Sequence, residues 1–315
     1  MTKPLVIYHA DCADGFGAAF AACLKLGDEA EYLPMQYGDR RLETGEYIIK
    51  DVAERTIYIL DFSFPRSVME SLFRDAKSVV WLDHHKTAFE MWCGKYEEGM
   101  FYMAAEENDP RIKIHLNDNK SGALLAWEFF HPGTDVPLLI QHIDDRDRWQ
   151  FKLKGSKEVH AAMTSYQPWS FEQWEGWHRA GICGLEGEFN FYAEGAAILR
   201  AQNAAVAQAV KHARTCHVAV PGEYGDGEYG VLPFVRRGLA ISCPLHQSEI
   251  GHELANKSGT FGLVWYMGDD GRINISLRSN GDYDVSAIAK AFGGGGHRNA
   301  AGFQTDLQTL MGWLK

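Results

Sequence analysis

Short continuous apolar runs in the first part of the chain each finish on a polar, chemistry-bearing end: LVIYH (5–9), TIYILDFSFP (56–65) and SVVWLDHH (78–85). Runs of this length, rich in β-branched and aromatic residues, predict strands buried on both faces. Between the first two, GFGAAFAACLKLG (15–27) predicts a helix closed by a glycine, and Pro65 opens another. This order predicts a parallel α/β sheet. Ligands of such sheets bind beyond the carboxyl ends of the strands, where His9, Asp14, Asp61, Asp83, His84 and His85 fall.

Further along, SGALLAWEFFHP (121–132) has a capping serine, helical spacing and a proline stop. VPLLIQHIDDRDRW (136–149) predicts a helix that delivers Asp144, Asp145 and Asp147 at its end. Residues 150–185 are aromatic-rich and show no assignable period. An alanine-rich helix is expected over 186–213, as a connector. Strands are then expected at 215–220 and 229–235, and a hairpin of 260–267 with 272–279 around Gly-Asp-Asp-Gly. The expected fold is α/β: an N-terminal parallel-sheet domain with flanking helices (1–185), a connecting helix (186–213) and a smaller α/β C-terminal domain (214–315).

Composition narrows the class. A chain of 315 residues, 46% hydrophobic and 12% aromatic, is globular and long enough for two domains. Neither a signal-like start nor a membrane-length apolar run is visible, so a soluble, cytoplasmic protein is expected. The cysteines at 12, 23, 93, 183, 216 and 243 form no CxxC pair, which suggests free thiols. Almost all of the net charge of −11 falls before Ala213. That balance disfavours binding to long duplex DNA; it suits bound divalent cations, or solubility alone.

Four separated segments supply carboxylates and imidazoles: His9 to Asp14, Asp61, Asp83-His84-His85, and Asp144 to Asp147. Mixed carboxylate and imidazole donors suit manganese, iron or cobalt, whereas all-oxygen sites favour magnesium. Two ions roughly 3.5–4 Å apart need a bridging carboxylate and several terminal ligands, and this set is large enough. Each piece alone has an ordinary explanation: Asp61 as a helix cap, His9 as a half-buried histidine, Asp-His-His as an exposed turn. Together those explanations require several coincidences. A second cluster, GGGGHRNAAGF (293–303), offers backbone N–H groups for an anion nest or, alternatively, a flexible hinge. Arg278 and Arg298 add charge and favour the anion. Trp149, Trp169, Trp174 and Trp177 suit core packing better than base stacking.

HADCADGFGAA (9–19), LDFSF (60–64), LDHHKT (82–87), DDRDRW (144–149), SLRS (276–279) and DVSAIAKAFGGGGHRNAAGF (284–303), in this order, resemble the DHH phosphoesterase superfamily with its C-terminal DHH-associated domain. The resemblance extends over nearly the whole chain. It includes nanoRNase/pAp phosphatase-like and RecJ-related members. It implies two divalent ions, manganese first, with magnesium or cobalt as alternatives. His9, Asp11, Asp14, Asp61, His84 and Asp145 match the metal ligands, Asp61 as the bridge, and Asp83 and His85 join Asp61 in catalysis. Arg278, Ser279, Gly294, Gly295, Gly296, His297 and Arg298 match the substrate-holding part. The first motif departs from the common pattern of two aspartates two apart: Asp11 and Asp14 are three apart, with Cys12 between them. A shifted loop, a water or Cys12 then fills the position.

The implied activity is two-metal hydrolysis of phosphodiesters or phosphomonoesters in small nucleotides or short single-stranded oligonucleotides, the C-terminal domain clamping the far end. Long duplexes and membranes are not expected partners, and a homodimer is left open. Alternatives are a pyrophosphatase or polyphosphatase using the same ions, or a degenerate nucleotide-binding regulator. A processive exonuclease fits less well, for lack of extra binding domains and of basic balance.

Overall fold

The computed structural model describes residues 2–36, 49, 51–104, 109–182, 190–227 and 230–314. Cys183 and the start of the expected connecting helix lie outside them. The chain divides into two units, Met1–Leu199 and Arg200–Lys315. The division falls inside a helix, Phe191–Val210.

In the first unit, β1 (Leu5–His9), β2 (Glu31–Met35), β3 (Thr56–Leu60), β4 (Ser78–Asp83), β5 (Phe101–Ala104) and β6 (Ile112–Asn117) form one sheet in the order β2-β1-β3-β4-β6-β5. Every pairing is parallel except β5 with β6 at the edge. The expected parallel sheet is therefore present. The strand order reverses direction at β1, so the crevice beside its carboxyl end is the natural ligand position of such a sheet.

Among the described residues, the helices of this unit are α1 (Ala13–Leu26), α2 (Arg66–Asp75), α3 (Lys86–Cys93), α4 (Gly122–Phe130), α5 (Leu138–Asp147), α6 (Ser156–Ser165) and α7 (Phe171–Ala180). Alternation along β1 divides the core. Val6 and Tyr8 pack with α1, α4 and α5, while Leu5 and Ile7 pack with Met69 and Leu72 of α2 and Phe89 of α3. The region without a sequence pattern holds α6 and α7. There Trp174 is fully buried against Phe16 and Phe20, at ring distances of 4.9 and 5.6 Å, so core packing was the right expectation for this tryptophan. Trp81 Nε1 donates to the Phe62 carbonyl at 3.0 Å, which pins the chain just after Asp61. Burying each of Phe62 and Phe89 contributes about 2 kcal/mol, so the strand ends rest on a firm floor.

Past α8 (Phe191–Val210), the second unit is a mixed sheet in the order β11-β12-β10-β9-β8-β7. Its elements are β7 (Arg214–Gly227), β8 (Gly230–Ser242), α9 (Gln247–Ser258), β9 (Phe261–Met267), β10 (Ile273–Ser279), α10 (Val285–Ala291), β11 (Gly295–His297), β12 (Ala300–Thr305) and α11 (Leu307–Trp313). The expected hairpin is β9–β10. The glycine run is not an open loop: Gly295 to His297 pair with Gly302 to Ala300 as an edge strand. Glycine is required there, since a Cβ on Gly296 would lie 2.5 Å from the Ala300 carbonyl. Among the described residues, Cys12, Cys23, Cys93, Cys216 and Cys243 are free thiols, and no helix is long and apolar enough to cross a membrane.

Candidate metal centre

The ends of β1, β3 and β4 converge. Asp61, one residue past β3, adopts φ 53°, a left-handed conformation that is costly for a residue with a Cβ. Its carboxylate is 1% exposed, and neither oxygen accepts a hydrogen bond of ordinary geometry. Oδ2 faces His9 Nδ1 at 3.6 Å and Oδ1 faces His84 Nε2 at 3.1 Å. Asp61 thus lies between two imidazoles, the arrangement a bridging carboxylate needs.

His84 Nε2 is also 3.3 Å from Asp14 Oδ2 and 3.6 Å from Asp147 Oδ2. Asp14, on the first turn of α1, is fixed by the start of α4: Gly122 N–H donates to Oδ2 at 2.7 Å and Ala123 N–H to Oδ1 at 2.8 Å. Gly122 must be glycine, because a Cβ would meet that of Asp61 at 2.4 Å. The donor atoms of His9, Cys12 and Asp61 lie within 4.8 Å of one another, as do those of Asp14, Asp61 and His84. These two triads share Asp61.

Asp83 plays a different part. Its Oδ1 accepts from His84 N at 2.7 Å and His85 N at 3.1 Å, and faces His85 Nδ1 at 2.7 Å. With two backbone N–H groups already bound there, this oxygen is an acceptor, so Nδ1 of His85 carries the proton. Asp83 therefore orients His85, and it meets His84 at that residue's backbone N–H.

Charge follows the same geometry. Burial opposes protonation of His9, but Asp61 and Cys12 outweigh it and raise its pKa to about 11. His84 is likewise raised, against burial, by Asp14 and Asp61. Burial alone would lift Asp61; contact with His84 and His9 instead holds it far below the usual carboxylate range. Asp147 is raised by burial and by the Asp14 charge. Three carboxylates, those of Asp14, Asp61 and Asp147, thus crowd around the one imidazole of His84.

Two expected ligands lie elsewhere. Asp11 is exposed, has φ 54°, and accepts from Gln36 Nε2. Asp145 faces α6: it accepts from Lys152 N at 2.7 Å, Leu153 N at 3.1 Å and Ser156 Oγ. Asp147 is the residue of this segment that reaches His84. The missed signal was helical periodicity, since Asp147 continues the Ile140–Ile143 stripe at i+4 and i+7. Asp145 continues the stripe of His142 instead.

In the second unit, register aligns Arg278, Ala300 and His297 across three adjacent strands, on one face of the sheet. Arg278 donates to Ser276 Oγ at 3.0 Å, the Leu277 carbonyl at 2.8 Å and Ser248 Oγ at 2.8 Å. Ser279, 4% exposed, donates to the Tyr283 carbonyl at 2.6 Å and accepts from Asn299 Nδ2 at 2.9 Å, so its hydroxyl is used inside the fold. Arg298 donates to the Asp282 carbonyl at 2.8 Å. Gly294 precedes β11, and Gly295 and Gly296 are ladder residues.

Among known proteins, residues 246–312 match the DHHA1 domain model. An uncharacterized protein, R106, of Acanthamoeba polyphaga mimivirus is 28% identical over 310 residues, which are 95% of this chain and 66% of that protein. The chain thus spans just under two thirds of that relative's length. Among solved structures, an uncharacterized protein from Helicobacter pylori G27 aligns with a TM-score of 0.43 at 17% identity, covering 96% of this chain and 93% of that one. A pGpG-specific phosphodiesterase, PggH, from Vibrio cholerae aligns with a TM-score of 0.46 at 13% identity, covering 98% and 94%. The DHHA1 match covers the C-terminal segment that carries SLRS and the glycine-rich motif, and it follows in sequence the strand-end histidines and aspartates of the first unit.

Proposed function

We propose that the chain is a metal-dependent phosphoesterase acting on small nucleotides or short single-stranded oligonucleotides. The observation that carries this reading is Asp61, buried, with both oxygens short of hydrogen bonds and one facing each of His9 and His84. In this reading His9 and Asp61 hold one divalent ion, and Asp14, Asp61, His84 and Asp147 hold the other. The mixed nitrogen and oxygen donors fit manganese, with cobalt or magnesium as alternatives. Such ions supply Lewis-acid polarisation of a phosphoryl oxygen and lower the pKa of bound water.

The chain's own residues do the rest. Asp61 fixes the spacing of the two positions. Asp83 holds His85 with its proton on Nδ1, which turns Nε2 to the acid–base work at the phosphate. The face carrying Arg278 and His297 supplies the cationic and imidazole groups for a nucleotide's phosphate.

The test uses the full chain, freed of metal and then supplied with Mn2+. It is offered short oligoribonucleotides, pAp, cyclic dinucleotides and inorganic pyrophosphate, with phosphate or mononucleotide release as the readout. Turnover on a nucleotide should appear with metal, vanish with chelator, and fall more than about 100-fold in Asp61→Ala and His84→Ala, beyond what an outer-shell change costs. Hydrolysis of pyrophosphate alone would overturn the substrate class. Undiminished turnover in the folded variants would overturn the site.

A further inference from the structure

We propose that Cys12 is a thiolate ligand of the ion position shared by His9 and Asp61, so that this position binds through sulfur, nitrogen and oxygen. This rests on the metal-dependent reading above and goes beyond it by assigning a ligand and the class of ion it selects.

The geometry singles out Cys12 in three ways. Its Sγ completes a triad with His9 and Asp61 whose donor atoms lie within 4.8 Å of one another. It occupies the N-cap position of α1 with extended backbone (φ −118°, ψ 134°), yet its side chain caps nothing. A side chain at an N-cap normally accepts from the first turn; this one is directed to the triad instead. Finally, the Asp61 carboxylate that it faces is 1% exposed and accepts no ordinary hydrogen bond, so the triad contains a buried acceptor suited to a cation.

Neighbouring residues strengthen the assignment. Asp11, the obvious carboxylate candidate in sequence, is turned out to Gln36. Cys12 and Asp14 are two apart, the separation expected of the motif's two aspartates, so sulfur stands where a carboxylate oxygen was expected. A thiolate is a softer donor than a carboxylate and shifts selectivity from magnesium and manganese to zinc, ferrous iron or cobalt. Coordination keeps the sulfur deprotonated.

Cobalt makes the assignment visible. The full-length chain, metal-free and with its thiols reduced, is titrated anaerobically with Co2+. Visible d–d bands report binding, and a near-ultraviolet sulfur-to-cobalt charge-transfer band reports a Co–S bond. In the wild-type chain both should grow within the first equivalents. In Cys12→Asp the visible bands should persist and the charge-transfer band should vanish. Its preference for Zn2+ over Mn2+ should fall by at least about tenfold, the loss already seen when an outer-shell partner is removed. Cys12→Ser serves as a second variant, and the wild-type spectrum is decisive even if a variant fails to fold. Visible bands without charge transfer in the wild type would overturn the ligand and leave the metal site standing. A charge-transfer band that survives in Cys12→Asp would assign the sulfur to another cysteine and overturn it too. Absence of any Co2+ binding would overturn both.

Discussion

Asp61 in the first unit and Ser279 in the second are both buried, at 1% and 4% exposure, yet their polar atoms are in opposite states. Ser279 donates to Tyr283 in the turn that follows it and accepts from Asn299, within the same unit. Asp61 accepts no ordinary hydrogen bond, and its left-handed backbone adds strain. A buried polar group left unbonded costs about 1–3 kcal/mol, more if charged. A satisfied group such as Ser279 is explained by the fold alone. In Asp61 the fold leaves both oxygens to the two imidazoles that face them, and the histidines and carboxylates around it are the donor types that a cation would take.

The sharpest way to break this contrast lies within α5, where two aspartates two residues apart fall on opposite sides of it. Asp147→Asn should cut metal-dependent turnover by more than about 100-fold, beyond the cost of losing an outer-shell partner, with little change in denaturant stability. Asp145→Ala should do the reverse. It removes the acceptor of two backbone N–H groups and the Ser156 hydroxyl, so unfolding free energy should fall by about 1–3 kcal/mol while metal binding is kept. Equal metal affinities in wild type and Asp147→Asn would return the ligand role to Asp145.

That pair also shows what the sequence could reveal. Three strands of the first sheet, β1, β3 and β4, were legible because each is a short, largely buried apolar run, and His9, Asp61 and Asp83 mark their ends; β2 and β6, partly exposed, and β5, at the edge, were not read. The α5 helix was legible too, but its face was not read from it: DDRD offers three carboxylates, and only the stripe from Ile140 through Ile143 to Asp147 separates them. Helix α6 was hidden because Val159 and Met163 are its only large apolar residues, and α7 because it buries Trp174 and Trp177 among polar neighbours. The glycine run looked like a loop because glycines carry no apolar alternation to mark a strand, although its partner β12 starts only three residues after His297. Asp11 misled for a related reason, since its left-handed turn sends the side chain outward.

Asp83 has one foot in each state, with Oδ1 bound three times and Oδ2 buried without a hydrogen bond. Asp83→Asn keeps an acceptor for the backbone N–H groups but removes the charge that fixes His85. Turnover should fall about 10–100-fold, as for other outer-shell partners. Imidazole nitrogen NMR should show a smaller fraction of His85 with its proton on Nδ1. A slower enzyme whose His85 tautomer is unchanged would refute the orienting role and leave Asp83 as a structural group.

The smallest effect belongs to Ser279, and it tests the satisfied side of the contrast. In Ser279→Ala the Tyr283 carbonyl loses a donor and Asn299 Nδ2 loses an acceptor, although Asn299 also donates to the Gly281 carbonyl at 3.1 Å. Partial compensation of this kind limits the loss to about 1 kcal/mol, measured by urea unfolding of the full chain. If the hydroxyl is purely architectural, KM for a nucleotide substrate should stay within about twofold, since a lost substrate hydrogen bond of about 1 kcal/mol would raise it more than that. A KM rise of tenfold at unchanged stability would mean that the hydroxyl exchanges its internal partners for the substrate. Satisfaction within the fold would then no longer separate architecture from site, and the same doubt would extend to Arg278 beside it.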